Sequence, residues 1–393
     1  MRFDLLNPTP QHLEVRNTVR AFAEREVAPQ AYAHDRAESF NVELFRRLGE
    51  LGLLGITVPE RFGGSAMDAT AAVIANEELA AADAGFTLAY LSHSILFAHN
   101  LARNGDDEQR RRFLPQVCAG RTIAGMAMSE ASAGTDTLAM STHARRDGDR
   151  YVLNGRKMWI TNGTVGDGEL GDVFLVYART SASGPRGVSL FVVERGAPGF
   201  SLGQAIGGKL GMRASGTAEL VFDDCEVPVD NRVGDEGKAV FHMMSTFEIE
   251  RLTLAAMSLG IARRALEIMN AYASDRTAFG KPIRTFGQIQ RHLGESYAEL
   301  MAGRSYVYRI AHEMNAGDGP HTLDADGAKL FCSTMAKRVA DRAVQVLGGY
   351  GYTGEYVVER LWRDAKLLEI GGGTIEAHQK NITQNLRRVR RIP

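Results

Sequence analysis

The chain has 393 residues, 44% hydrophobic and 24% charged, enough for two to three domains and a core that needs no disulfide or metal support. Lys plus Arg number 46 and Asp plus Glu 47, a formal net charge of -1 that excludes a mainly electrostatic nucleic-acid binder and leaves no polybasic membrane anchor. Cysteines stand only at 118, 225 and 332, with no Cys-x-x-Cys, which points to a reducing, cytoplasmic setting without structural zinc. The opening MRFDLLNPTPQHLEVR lacks the apolar stretch of a signal peptide. No apolar run reaches the roughly eighteen residues that membrane insertion needs.

Two changes of texture predict three domains: 1–122 helical, 123–235 β and 236–393 helical. Residues ~9–120 carry Ala, Leu and charge at helical spacing, as in FNVELFRRLGELGLLG and AAVIANEELAAADAG, with a Pro- and Gly-marked break at VPERFGG (58–64). Short β-branched and aromatic runs follow at 151–161, 172–180, 187–195 and 218–228, bounded by turn pairs such as Asn154-Gly155 and Pro198-Gly199. Strands without intervening helices predict a small antiparallel sandwich or barrel. Helical periodicity returns at ~237–274, ~285–316, ~323–347 and ~355–369, with a last helix from ~374. Long helices on short loops predict a four-helix bundle, and the fold class is α+β.

The string Gly349-Tyr350-Gly351-Tyr352-Thr353-Gly354 has G-x-G-x-x-G spacing. A dinucleotide turn follows a strand, however, and the preceding 333–347 has helical spacing, so the string reads as a helix stop and a tight turn. Gly234-Asp235-Glu236-Gly237-Lys238 lacks the upstream Gly and the Ser/Thr of a phosphate loop. His312-Glu313 has no second His four residues on, and no metal site is assigned.

The helix at ~237–274 is more informative. Its apolar residues Val240, Met243, Phe247, Leu254, Met257 and Ile261 form a 3-4-7-3-4 seam whose missing member is Glu250. A carboxylate there is costly unless paired or functional, and burial would raise its pKa toward that of a general base. The pattern alone leaves a structural Glu–Arg pair and a catalytic Glu equally open. Ser129 to Asp136 offers small residues, hydroxyls and backbone N–H groups suited to a planar polar ligand, or an ordinary Ser/Gly turn. Trp159 and Thr161 end a strand, as packing or as a ligand wall. Gly371-Gly372-Gly373 allows close approach to backbone, and Thr374 can cap a helix whose N-terminus suits a phosphate, or the glycines are a linker.

Together these strings resemble the acyl-CoA dehydrogenase family, in order and over nearly the whole chain. One signature runs from Ala127 to Ala139, and a second from Gln345 through Gly348, Gly349, Gly351, Tyr352, Glu355 and Arg360 to Asp364. Trp159 to Gly163, Arg276 to Gly280 and Arg363 to Lys366 match as well. The resemblance implies a flavoprotein that binds FAD without a Rossmann fold. Met128, Ser129 and Gly134 would address the flavin, with Trp159 and Thr161 beside its ring. Thr374 would hold the same subunit's FAD; Arg276, Phe279, Gln345 and Gly349 would hold a neighbour's, so a homotetramer is implied. Thr135 takes the place of a Ser that contacts the pantetheine arm.

In most members the catalytic Glu aligns with Gly372 here, which abstracts no proton. The isovaleryl-CoA dehydrogenase branch places its base on the long helix in a Leu-Glu-Arg-Leu context, and here Ile249-Glu250-Arg251-Leu252 stands there. Seam and resemblance thus meet on Glu250. The Glu369 to Thr374 string matches that branch, Gly371 replaces a bulky aromatic of straight-chain enzymes, and Glu248, Thr135, Arg251 and Gly371 are the expected substrate contacts. Ile375 stands where Ser is usual and His378 where Arg is usual, and Gly163–Asp172 is longer than the family norm. The implied reaction is α,β-dehydrogenation of an acyl-CoA, with Gly372 N–H and an FAD hydroxyl polarising the carbonyl, Glu250 taking the α proton, and an electron-transfer flavoprotein as acceptor. Two alternatives keep the fold with a carrier-protein-bound or a longer, terpenoid acyl thioester as substrate. A third is a non-catalytic flavoprotein scaffold.

Overall fold

The computed structural model describes residues 4–389 except positions 167 and 318. In the first helical region α1 (Pro10–Phe22) continues through a π-helical stretch, Ala23–Val27, into α2 (Ala28–Ala37). There follow α3 (Val42–Glu50), α4 (Ala69–Ala82), α5 (Ala84–Leu91), a second π-helical stretch at Ser92–His99, α6 (Asn100–Asn104) and α7 (Asp107–Cys118). Short polar side chains start these helices by accepting backbone N–H groups: Thr9, Asn41, Asp68, Asp83, and Asp106 in a reciprocal capping box with Gln109. Every residue from Ala69 to Ala80 is buried, which makes α4 a central helix rather than an amphipathic cover.

The strands are β1 (Ala124–Ala127), β2 (His143–Asp147), β3 (Arg150–Thr161), β4 (Thr164–Val165), β5 (Glu169–Leu170), β6 (Val173–Arg179), β7 (Val188–Glu194), β8 (Phe200–Ala205), β9 (Thr217–Pro228) and β10 (Arg232–Val233). The main sheet runs β10-β7-β6-β2-β3-β9-β8, and β1 pairs with β6. Most pairings are antiparallel, as expected, but β1–β6 and the single β2–β6 register are parallel. Parallel pairing needs a long crossover, and the chain between β1 and β6 supplies it. On β6, Val173, Leu175 and Tyr177 face a cluster holding Phe97, Phe113 and Leu114 from the helical region. Phe174, Val176 and Ala178 face a second core with Phe191, Phe200 and Phe222.

The last region comprises α8 (Ala239–Asp275, 37 residues), a hairpin of β11 (Thr277–Ala278) and β12 (Lys281–Pro282), α9 (Gly287–Ala316), α10 (Thr322–Leu347), the turn-like α11 (Gly349–Tyr352), α12 (Val358–Leu368) and α13 (Ile375–Leu386). α10 precedes the G-x-G-x-x-G string, and its C-cap Gly348 has φ +60°, the expected helix stop. α8 packs against α9, α10, α12 and also α4, so the two helical regions share one apolar core. Within that core Glu77 and Glu78 of α4 meet Arg16, Arg263 and Arg304, and Tyr308 donates to Glu77 at 2.7 Å. These charges are tolerated because each is paired, and they fix the register of α1, α4, α8 and α9.

Candidate active site

α8 carries Glu250 into the interior, where it is 6% exposed. The sequence seam is real: Leu254, Met257 and Ile261 on the same stripe are buried. Among the described residues no group donates a hydrogen bond to the Glu250 carboxylate, and no cation approaches within ion-pair distance. Its neighbour Arg251 turns instead to Asp326 on α10, 3.3 Å away. Burial therefore dominates and raises the Glu250 carboxyl to about 7, against the smaller pull of Arg251 and Lys329. Lys329 is itself fully buried, donates to the Leu368 carbonyl, and is lowered to about 8 by burial, with Glu250 opposing that shift.

The carboxylate faces the glycine loop between α12 and α13. A Cβ on Gly372 would lie 3.4 Å from Glu250 Oε1 and would overlap Leu254, and Gly372 has φ +66°, so only glycine fits. The Gly371 N–H is taken by Leu367 O at 2.7 Å. The N–H groups of Gly372 and Gly373 meet no acceptor among the described residues. Gly371 has ordinary φ, and a Cβ there would meet only Leu367, at ordinary van der Waals distances from 3.5 Å. Thr374 then caps α13, accepting Ala377 N–H at 3.2 Å.

A second group sits where β1 leaves the helical region. Met128 is buried and Ser129 half-buried. Lys157 holds this segment from below, donating to Met128 O at 2.9 Å and to Glu130 at 3.0 Å. Burial opposes ionisation of Glu130, but Lys157 and bonds from Thr142 and Ser141 outweigh it and hold the carboxyl at about 2. β3 slips register against β9 between Lys157 and Ile160, and Trp159 takes φ +61° at the irregularity. The indole is thereby turned outward and left 55% exposed, with half-buried Thr161 two residues on. Asn162, also at positive φ, donates to Ala89 O and Ala124 O at 2.9 Å each and ties this corner to α5. Gly134 and Thr135 are exposed, and nothing lies within 4 Å of a Cβ at Gly134.

A third group lies at the far ends of α8 and α10. Arg276 and Gly349 line one cavity of about 600 Å³ with Tyr272, Tyr350 and Glu355, and Gln345 is exposed on α10. Phe279, at φ +54° on the β11–β12 hairpin, is 95% exposed. None of Met128, Ser129, Trp159 or Thr161 lines that cavity. The exposed aromatic faces of Trp159 and Phe279 and the arginine-edged cavity have the chemistry to suit a large planar cofactor with an anionic tail.

Of the expected substrate contacts, Gly371 is a position where a side chain would meet only Leu367, whereas Glu248 accepts from Thr322 and Arg251 is taken by Asp326. Lys157, Asp326 and Lys329 escaped the sequence reading, and Asn162 entered it only as part of the Trp159 to Gly163 string. Lys157 was findable: it follows Tyr151, Leu153 and Gly155 on the inward face of β3 at period two. Among the described residues no cluster of three His, Cys, Asp or Glu is arranged to hold a metal, and no helix is long and apolar enough to cross a membrane.

Comparison with known proteins matches this architecture throughout. Three family models, described as the N-terminal, middle and C-terminal domains of acyl-CoA dehydrogenase, match residues 9–121, 125–225 and 240–387. A mitochondrial isovaleryl-CoA dehydrogenase of Oryza sativa subsp. japonica is 40% identical over 376 residues, covering 95% of this chain and 90% of its own. The solved butyryl-CoA dehydrogenase from Megasphaera elsdenii superposes with a TM-score of 0.93 at 35% identity, covering 99% of this chain and 100% of its own. The prolyl acyl carrier protein oxidase AnaB gives 0.91 at 31% identity, covering 96% and 99%. The chain therefore belongs to the acyl-CoA dehydrogenase family of flavoprotein oxidoreductases.

Proposed function

We propose that this chain dehydrogenates a short branched acyl-CoA thioester, of the isovaleryl-CoA kind, across its α and β carbons. The observation that carries the reading is the buried, unpaired Glu250 carboxylate facing a glycine loop with two free N–H groups. An α C–H is far too weak an acid to ionise unaided, so negative charge developing on the carbonyl oxygen must be stabilised. The Gly372 N–H is the donor for that oxygen. Glu250, its proton affinity raised by burial toward neutrality, takes the α proton. Met128, Ser129, Gly134, Trp159, Thr161 and Thr374 would hold FAD, which would supply a two-electron acceptor for the β hydride. The lack of a side chain at Gly371, in the loop that faces Glu250, supports room for a methyl branch beside the α and β carbons. The 40% identity to the rice isovaleryl-CoA dehydrogenase supports this substrate class.

Arg276, Phe279, Gln345 and Gly349 would form the surface for a neighbouring subunit's FAD in a homotetramer, a reading that the 95% exposure of Phe279 supports. The reading includes the domain division 1–122, 123–235 and 236–393, an electron-transfer flavoprotein as acceptor, and a reducing compartment suited to three buried, unpaired cysteines.

The test is anaerobic titration of the yellow protein with isovaleryl-, butyryl- and octanoyl-CoA. Fastest bleaching by isovaleryl-CoA is expected; bound flavin that none of the three reduces would overturn the substrate assignment. Likeness to a carrier-protein oxidase favours one second reading, a carrier-bound thioester. Free CoA separates the two, since it inhibits an acyl-CoA enzyme and leaves a carrier-protein enzyme untouched.

A further inference from the structure

Beneath the glycine loop runs a chain of buried polar groups that the proposed chemistry does not use. His378, in the first turns of α13, has no exposed surface, and its Nδ1 lies 2.6 Å from Asp326 Oδ1 on α10. The other Asp326 oxygen accepts from Arg251 of α8 at 3.3 Å. Arg251 is the residue after Glu250. At the ring's opposite edge Nε2 has no hydrogen-bond partner among the described residues. That edge lies directly under the loop: a Cβ on Gly373 would stand 3.0 Å from Nε2 and 2.9 Å from Cε1. The path closes at Gly372, whose Cβ position is 3.4 Å from Glu250 Oε1.

The charged groups facing the ring are Asp326 and Lys329 from α10 and Arg251 from α8. Burial and the two cations disfavour protonation more than Asp326 favours it, so the ring is neutral near pH 7. Its Nδ1–H then donates to Asp326, and Nε2 keeps only a lone pair toward the loop. The ring is anchored at one edge by Asp326, and its other edge fills the space a Gly373 side chain would need. Gly373 has φ +102°, which no other residue takes without strain, and the ring bars a side chain there as well.

We propose that His378 is a positioning residue for the reaction: by bridging the glycine loop to α8 through Asp326 and Arg251, it holds the Gly372 N–H and the Glu250 carboxylate in register. This rests on the proposed function, since it assigns His378 to the placement of that carbonyl donor and that base. Misplacing reacting groups by about 1 Å costs about a hundredfold in rate, which is the scale of the expected effect.

The experiment uses FAD-loaded protein and three variants. His378→Phe keeps a ring but no donor, His378→Asn keeps a donor where Nδ1 stands, and His378→Gln moves the amide to the Nε2 end. Two quantities are read: the limiting rate of flavin bleaching by isovaleryl-CoA, and the infrared C=O stretch of bound pivaloyl-CoA, labelled at the carbonyl carbon and lacking an α hydrogen. The Phe variant should bleach about a hundredfold more slowly at unchanged FAD content, with the stretch moved back toward its value in buffer. Asn should recover the shifted stretch and come within about threefold of the parent rate, with Gln about tenfold slower than Asn. If Phe fails to fold, the Asn–Gln comparison carries the test. Equal rates and stretches across the folded variants and parent would overturn the positioning role. A parent that neither bleaches nor shifts the bound carbonyl would instead overturn the proposed function.

Discussion

Replacing Glu250 by Gln should separate chemistry from stability, with opposite signs. Burial raises this carboxyl from 4.5 to about 7, only partly offset by Arg251 and Lys329. A group whose folded value is raised binds more protons when folded, so its contribution to stability falls as pH climbs from the unfolded value to the folded one. At about 1.4 kcal/mol per pH unit, the ionised carboxylate costs the folded protein about 3 kcal/mol at about pH 7.5 and nothing below about pH 4.5. Gln keeps the shape and removes the charge. For 393 residues the unfolding entropy is about 0.8 kcal/mol/K, so the variant should melt about 4 °C above the parent at about pH 7.5 and level with it at about pH 4.5. Higher pH is avoided because removing this charge lets burial push Lys329 further below about 8. Meanwhile flavin reduction by isovaleryl-CoA should drop about a thousandfold, the scale of a lost general base. In the parent that rate should rise with pH through about 7, as the carboxyl ionises. A stability difference that does not vary with pH would refute the raised proton affinity. Near-parental reduction would refute the role as base.

Further expectations follow from single contacts. Lys157→Met strands Glu130 as an unpaired buried charge beneath Met128 and Ser129, and should cost about 3–5 kcal/mol and much of the bound flavin. The double variant with Glu130→Gln should recover part of both, read by urea unfolding and the flavin-to-protein absorbance ratio. Asn162→Ala removes two buried bonds at a positive φ and should cost about 3 kcal/mol; a loss under about 0.5 kcal/mol would show that this corner is not held by it. Gly371→Ala meets only ordinary contacts, so it should fold and bind FAD, yet lower the isovaleryl-CoA rate about tenfold relative to butyryl-CoA. An unchanged ratio would remove Gly371 from the substrate pocket.

Legibility in the sequence followed burial on one element. The four predicted strands correspond to β3, β6, β7 and β9, which alternate or are covered on both faces. β2 reads HARRD with only Ala144 buried, and β8 has only Phe200 buried, so neither carries an apolar signal. β1 is AGMA, whose small residues give no β propensity, and the parallel pairing it makes depends on partners 49 residues downstream, as Ala124 opposite Val173 shows. The π-helical stretches keep helical spacing closely enough to pass as α-helix, and the bulge that turns Trp159 outward leaves no mark beyond a broken alternation after Lys157.

The site divides along the same line. Glu250 was legible because one polar residue interrupts a long apolar stripe on a single helix. The same rule applied to α10 picks out Lys329, which stands in the buried series Ala325, Ala328, Cys332 and Ala336. What no single element could reveal is why Glu250 is left without a partner. Arg251, the cation nearest in sequence, is drawn to Asp326, which also binds His378; Lys329 is spent on the Leu368 carbonyl. Each neighbour that could neutralise the base is engaged by a residue from another helix. The unpaired carboxylate, and so its proton affinity, is a property of how α8, α10, α12 and α13 are packed. A base tuned this way should respond to changes in its neighbours' partners as strongly as to changes beside it, and a stripe-by-stripe reading of sequence cannot register that.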